Sequence, residues 1–503
     1  MRHLKTKRYF YSCQLVALLL LVGCNNTDNE LSLDAAGLQV DFSNTFEACE
    51  LVLPGTDITA SAECSSLDVP ENPDDITGRQ ITLKIAKVAA RDSGEARADP
   101  IFFFAGGPGQ SATESYPIIA QSLAESNKTR DIVLVDQRGT GSSNKLNCDF
   151  GEAELQTDIE AEQLKDLARD CLSTLDADPR FYTTTVAMKD IDTVRQAMGY
   201  EQINLIGVSY GTRAAQVYLR DYPEHVRTVV LDSVVPPELL LGLEHAVNLD
   251  DALSKLFNRC AQEQECQDRF GDLSLQLAEL RETIHNHSPS LLMRLPTSGE
   301  HEEVLVTNDV LAVAIRLLSY NSETQALIPI LLEEATNGDF QPLASQALSQ
   351  VQNLSDVIAR GMEMSVICSE DVIFFPSYID QTDTLLGQTL IDLIKAQCSV
   401  WPKGEVPADF HEPRLNNDVG VLLLSGELDP VTPPRYGDMA AKQFARSAHW
   451  VIPGRGHSVM RHGCLPDKVA EFIEADNPTE IDSSCVSDIH ASPFFMQMTG
   501  PSP

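Results

Sequence analysis

The stretch Gly207-Val208-Ser209-Tyr210-Gly211 follows an apolar run from Ile203 to Val208 and opens the amphipathic segment 212–222. That order reads as a buried strand, a sharp turn and a helix, the setting in which G-x-S-x-G lifts a serine hydroxyl clear of a sheet. Glycine at 207 and 211 leaves the turn room that a side chain would block. The backbone N–H of Tyr210 is then aimed where negative charge could form beside the Ser209 hydroxyl. A pentapeptide of this kind is common, so its meaning depends on what the rest of the chain supplies.

Upstream, Gln80–Val88 alternates as a half-buried strand does, with Ile81, Leu83, Ile85 and Lys87 on one side. Pro100-Ile101-Phe102-Phe103-Phe104 is a continuous apolar run, the pattern of a strand covered on both faces. It empties into Ala105-Gly106-Gly107-Pro108-Gly109-Gln110-Ser111, a stiff loop whose backbone can approach a ligand closely. Another buried strand, Ile132–Val135, runs into Asp136-Gln137-Arg138-Gly139-Thr140-Gly141-Ser142-Ser143, where Asp136 and Arg138 read as holding the loop by hydrogen bonds. After it, Ile191, Val194 and Met198 recur at helical spacing, with Asp192 and Arg195 as a solvated pair on that helix. The next apolar run, 226–231, ends at Asp232. Strands and helices alternating in this way predict a mostly parallel sheet covered on both faces.

From 238 to about 417 the texture changes to helix-period segments, such as 249–260, 273–285, 309–319 and 325–336. No run there looks like a sheet strand. This predicts a helical cap, inserted after the sixth strand, that excludes water from the site and restricts entry. The sheet resumes at 419–424 and ends in Gly426-Glu427-Leu428-Asp429-Pro430-Val431-Thr432. A last strand at 449–452 leads into Gly454-Arg455-Gly456-His457. Segments 46–237 and 418–476 therefore form one core, and 477–503 is a tail tied back by Cys485.

Ser209, Asp429 and His457 each follow a predicted strand, which brings them to the carboxyl edge of the sheet. A serine hydroxyl is a poor nucleophile near neutral pH without a base, so the three residues form a coherent set. His457 would take the proton, while Asp429 would fix the tautomer and stabilise the imidazolium. His462 is the competing histidine, and Glu427 and Asp438 are the competing acids; Glu427 lies one turn residue too early. The eleven histidines show no H-E-x-x-H or similar constellation, so no metal site and no cofactor is expected.

Gly106-Gly107-Pro108-Gly109, then Asp136 to Ser142, then Gly207-Val208-Ser209-Tyr210-Gly211-Thr212-Arg213 resemble, in that order, the α/β-hydrolase peptidases that include proline iminopeptidases and secreted tripeptidyl aminopeptidases. The resemblance spans 80–236 strongly and 419–473 well. It implies an α/β-hydrolase fold with an inserted cap, and an oxyanion hole formed by the Tyr210 N–H with that of Gly107 or Gly106. Ala105 departs from the family's usual leading histidine at this loop. The resemblance also implies a negative group to hold a substrate's free ammonium, and Glu370 and Asp371, beside Cys368 in the cap, are the expected ones. The activity implied is that of a serine aminopeptidase releasing an N-terminal proline, or a di- or tripeptide, through an acyl-enzyme. A carboxylic-ester hydrolase on the same triad and a catalytically silent envelope binding protein are the alternatives.

At the amino end, Arg2, Lys5, Lys7 and Arg8 precede an apolar run from Leu15 to Val22, the charge order of an export signal and too short to span a bilayer. Leu21-Val22-Gly23-Cys24 resembles a bacterial lipobox. That implies a signal over 1–23, a lipid on Cys24, a polar tether over 24–45 and a membrane anchor. Asn25, in place of a retaining aspartate, implies the outer membrane facing the periplasm. The net charge of −37 repels phosphate backbones and argues against a nucleic-acid partner. Ten further cysteines lack paired zinc spacing, and an even number in an exported chain favours disulfides. Pairing between sequence neighbours is expected: Cys49 with Cys64, Cys148 with Cys171, Cys260 with Cys266, Cys368 with Cys398, and Cys464 with Cys485.

Overall fold

The computed structural model describes residues 45–148, 160–294, 299–413 and 418–499, so Cys24 and nearly all of the tether lie outside the described residues. Nine strands form one sheet in the order β1 (Glu47–Val52), β2 (Thr59–Pro70), β3 (Gln80–Val88), β5 (Ile132–Val135), β4 (Ile101–Phe104), β6 (Ile203–Val208), β7 (Val226–Asp232), β10 (Gly420–Gly426) and β11 (Arg446–Ile452). The pairings β1 to β2, β2 to β3 and β3 to β5 are antiparallel, and all those from β5 onward are parallel.

The continuous apolar runs are explained by cover on both faces. Phe102 and Phe104 pack with Leu205, Val229 and Leu423 on one side of the sheet. Ile101 and Phe103 pack with Ile206, Val230 and Leu424 on the other. In the parallel part all strands end at one edge: Phe104 lies beside Gly207, Val208 beside Asp232, and Gly426 beside Ile452. The loops carrying residues 105–111, Ser209, Asp429 and His457 therefore emerge together.

Between β7 and β10 the chain builds a helical layer that includes His245–Gln262, Asn308–Leu318, Gln341–Val357, Arg360–Glu370 and Thr389–Val400. It has its own core, containing Leu249, Leu253, Ile315, Leu331 and Leu343. This insertion follows the seventh strand of the chain, not the sixth. It is also not wholly helical: β8 (Ser290–Arg294) and β9 (His301–Leu305) form an antiparallel ribbon. Leu292 on that ribbon is 71% exposed and Met293 is buried, so no apolar-in, polar-out pattern announces it. Among the described residues, no helix is long and apolar enough to cross a membrane.

Asp192 and Arg195 are not solvated. Both are buried, with Arg195 Nε donating to Asp192 Oδ1 at 2.7 Å and the Tyr218 hydroxyl donating to the same oxygen at 2.9 Å. The helix Thr184–Ala197 packs on Tyr210–Asp221, which covers the pair. Five disulfides join Cys49 to Cys64, Cys148 to Cys171, Cys260 to Cys266, Cys368 to Cys398 and Cys464 to Cys485. Beyond the last of these, Phe494 is buried in the core of the cap beneath the Arg259 guanidinium.

Candidate active site

At the end of β6, Ser209 has φ 57° and ψ −125°, a left-handed backbone that a non-glycine residue holds only when its surroundings force it. Its N–H donates to the Asp232 carbonyl at 2.9 Å, and its own carbonyl accepts from the N–H and hydroxyl of Thr212 at 2.9 and 2.6 Å. Gly211 is required because a Cβ there would lie 2.1 Å from the Phe104 carbonyl oxygen. The helix Tyr210–Asp221 begins at the next residue, so the Tyr210 N–H has no acceptor within the helix. The Tyr210 ring turns away into the core, its hydroxyl 2.7 Å from Thr184 Oγ1. Across the turn, the Gly106 backbone runs so close that a Cβ on it would sit 3.1 Å from Ser209 Cβ. These placements bring residues 106 and 210 up against the serine.

His457 Nδ1 lies 2.8 Å from Asp429 Oδ2. The acid is buried and held on all sides: Oδ1 accepts from the N–H groups of Val431 and Thr432, both at 2.9 Å, and Oδ2 from the Thr432 hydroxyl at 2.8 Å. Burial alone would raise the Asp429 pKa, but His457 and these donors hold it below the ordinary value. Burial would likewise depress the His457 pKa, yet the Asp429 carboxylate more than offsets it and leaves the imidazole above its ordinary 6.5. The competing residues are occupied elsewhere. Glu427 accepts from the Gly454 N–H, Asp438 contacts His449 Nδ1, and burial pushes His462 down to about 4.

A base must be neutral to accept a proton, so kcat/KM is expected to rise with pH through the His457 pKa. The acid limb of a pH profile should therefore lie above pH 6.5. A limb below that value would contradict the pairing with Asp429.

Two residues that sequence reasoning passed over hold the histidine loop. Asp232, at the end of β7, accepts from the N–H groups of Val459 and Met460, each at 2.9 Å, and Ser233 Oγ accepts from the Ser458 N–H at 2.8 Å. Three consecutive N–H groups after His457 are thus fixed by the strand whose backbone also holds Ser209. Burial pushes Asp232 up to about 6, against those donors.

Glu370 and Asp371 do not face the site. Both are fully buried where the cap meets the helix that follows Ser209. Arg213 Nη1 donates to both Asp371 oxygens at 3.0 Å, and the Leu241 N–H donates to one of them at 3.0 Å. Glu370 accepts from the N–H and hydroxyl of Thr184 at 2.6 and 2.9 Å. Burial pushes Glu370 up to about 7, with Arg213 pulling the other way. Neither carboxylate is available to a substrate ammonium; their chemistry is that of an anchor between cap and core. Arg213→Met leaves Asp371 buried without its cation and should destabilise the fold by about 3–5 kcal/mol in denaturant titration. Arg213→Met with Asp371→Asn should recover part of that loss, and a single variant as stable as the parent would refute the anchor.

Ser209, His457, Gly106 and Gly107 line a cavity of about 890 Å³ roofed by the cap. The carboxylates on its cap wall belong to Asp309, Glu363 and Asp392. No local signal in the sequence distinguishes these acids from the many others.

Residues 99–301 match the α/β-hydrolase fold family, and residues 384–485 match the family described as TAP-like protein. The chain is similar to the putative hydrolase YuaR of Escherichia coli (strain K12), at 24% identity over 466 residues that cover 84% of this chain and 87% of that protein. It is similar to the serine protease Hip1 of Mycobacterium tuberculosis, at 28% identity over 474 residues with the same two shares. The tripeptidyl aminopeptidase of Streptomyces coelicolor is 29% identical over 192 residues, 35% of each chain.

Proposed function

We propose that this chain, a serine hydrolase that matches the α/β-hydrolase fold family over residues 99–301 and the TAP-like family over 384–485, is an exported aminopeptidase releasing a short peptide, or a single proline, from the amino end of peptides. The observation that carries this is a cavity with Ser209 and His457 on its core wall and Asp309, Glu363 and Asp392 on its cap wall. Asp309 and Asp392 would hold the free ammonium while the carbonyl to be attacked lies at Ser209, since Glu363 is paired with Arg360. At about 890 Å³ the space is near the upper end of ordinary ligand pockets, which favours a di- or tripeptide over proline alone.

In this scheme the Ser209 hydroxyl attacks the peptide carbonyl as His457 takes its proton, and the N–H groups of Tyr210 and Gly107 or Gly106 bind the oxyanion. His457 then gives the proton to the departing nitrogen, and the C–N bond breaks to leave an ester on Ser209. Water, deprotonated by the same histidine, hydrolyses that ester and restores the serine. Export is supported by the leader and by disulfides, which persist in oxidising compartments. A diacyl or triacyl mass on Cys24 in membrane-extracted protein would establish the anchor, and a different amino terminus would remove it.

The test compares four chromogenic substrates: proline anilide, a free-amine tripeptide anilide, its acetylated twin and a short acyl ester. Cleavage of a free-amine anilide with loss on acetylation is expected. Cleavage of the ester alone would establish an esterase, and silence on all four would leave a binding protein.

A further inference from the structure

The catalytic cavity contains a cation for whose side chain the described residues supply no hydrogen-bond or ion-pair partner. Asp309, Ala312, Val313, Arg316 and Leu317 line it from one face of the helix Asn308–Leu318. Arg360 and Arg461 are also on the wall, and each is paired, with Glu363 at 2.8 Å and Glu323 at 3.3 Å. Arg316 is half-buried, and among the described residues it is the one arginine whose side chain has neither a hydrogen bond nor an ion pair. In a chain with 74 acidic and 37 basic residues, a half-buried guanidinium left without a carboxylate is unexpected. Its partial desolvation is offset by no partner among the described residues.

Its place in the cavity is close to the chemistry. Tyr320, about one helical turn further along the chain, accepts the His457 N–H at 2.7 Å, and the two rings meet edge to face at 5.4 Å. His245 shares this corner. Burial, with Arg316 and His457 nearby, pushes its imidazole down to about 3, so it carries no charge to compete for an anion. Asp309 is seven positions before Arg316 on the same face, or about 10 Å along the axis, and it bonds Thr389 Oγ1 at 3.2 Å. Negative and positive groups are thus separated along one wall, with the positive one toward Ser209.

We propose that Arg316 is an anion subsite that receives a carboxylate carried by the substrate close to the bond being cleaved. The planar guanidinium fork suits a carboxylate held through two hydrogen bonds. That carboxylate has two sources: an acidic side chain in the released peptide, or the terminal carboxylate of a short leaving peptide. This deepens the peptidase reading and rests on it.

The experiment measures kcat/KM for free-amine tripeptide anilides carrying Glu or Gln at each position in turn, and for tetra- and pentapeptides ending in a free carboxylate or an amide. The parent enzyme should favour the carboxylate member of at least one pair by about 10–100-fold. In Arg316→Gln that ratio should fall to near one, and in Arg316→Lys it should return in part. A Glu-over-Gln preference assigns the side chain, and an acid-over-amide preference assigns the leaving peptide. No preference in the parent, or a preference that survives Arg316→Gln, overturns the subsite. Calorimetric binding of the same pairs to Ser209→Ala separates this from the reaction itself. If nothing is cleaved but the pairs still bind unequally through Arg316, the subsite stands and the peptidase reading falls.

Discussion

Ser209→Ala is expected to lower peptide hydrolysis by about 10⁴-fold or more, because the acyl-enzyme route is lost and only binding and the oxyanion donors remain. The fold should survive, since the Ser209 hydroxyl takes no part in the bonds that hold the turn. Those run through its N–H to Asp232 and its carbonyl to Thr212. Alanine tolerates φ 57° about as poorly as serine does, so the change adds little strain. The thermal midpoint should therefore stay within a few degrees of the parent while turnover disappears. Retained hydrolysis would place the nucleophile elsewhere.

Asp429→Asn should cost about 10⁴-fold in kcat with the protein still folded. The amide oxygen can replace Oδ1 as acceptor for the Val431 and Thr432 N–H groups. On the other side, an NH₂ facing His457 Nδ1 cannot accept its proton, so the ring is driven to the wrong tautomer. The variant also loses the charge that raises the imidazole pKa, so what activity remains should show an acid limb displaced to lower pH. An unchanged limb would mean that Asp429 is not the partner of His457.

The sheet was legible in the sequence because its strands are buried on both faces, which makes 101–104 and 132–135 unbroken apolar runs and 203–208 apolar but for Asn204. β1 and β2 were not, because they lie at the sheet's edge and much of their surface stays exposed or half-buried. The β8 and β9 ribbon was hidden for a related reason, with apolar side chains on its outer face. Ser209, Asp429 and His457 could be proposed because each stands in a local pattern of strand, glycine and turn. Arg213 lay within the motif quoted from the sequence, yet its partner Asp371 is 158 positions away and only folding joins them. Asp232 is 227 and 228 positions from the N–H groups it holds. The adjacent acids Glu370 and Asp371 invited a binding role, whereas Arg213 and Thr184 occupy them inside the protein. Arg316 carries no motif at all, and what singles it out is the absence of a partner in a space that the sequence does not outline.

The central claim is that Ser209 and the roofed cavity act on the free amino end of a peptide. It is tested most directly by incubating an unlabelled ten-residue peptide and its acetylated twin with the enzyme and reading the products by mass. The account predicts a ladder that shortens the free-amine peptide from its amino end by two or three residues at a time, no shortening of the twin, and no ladder with Ser209→Ala. Internal cleavage, or equal cleavage of both peptides, would contradict it.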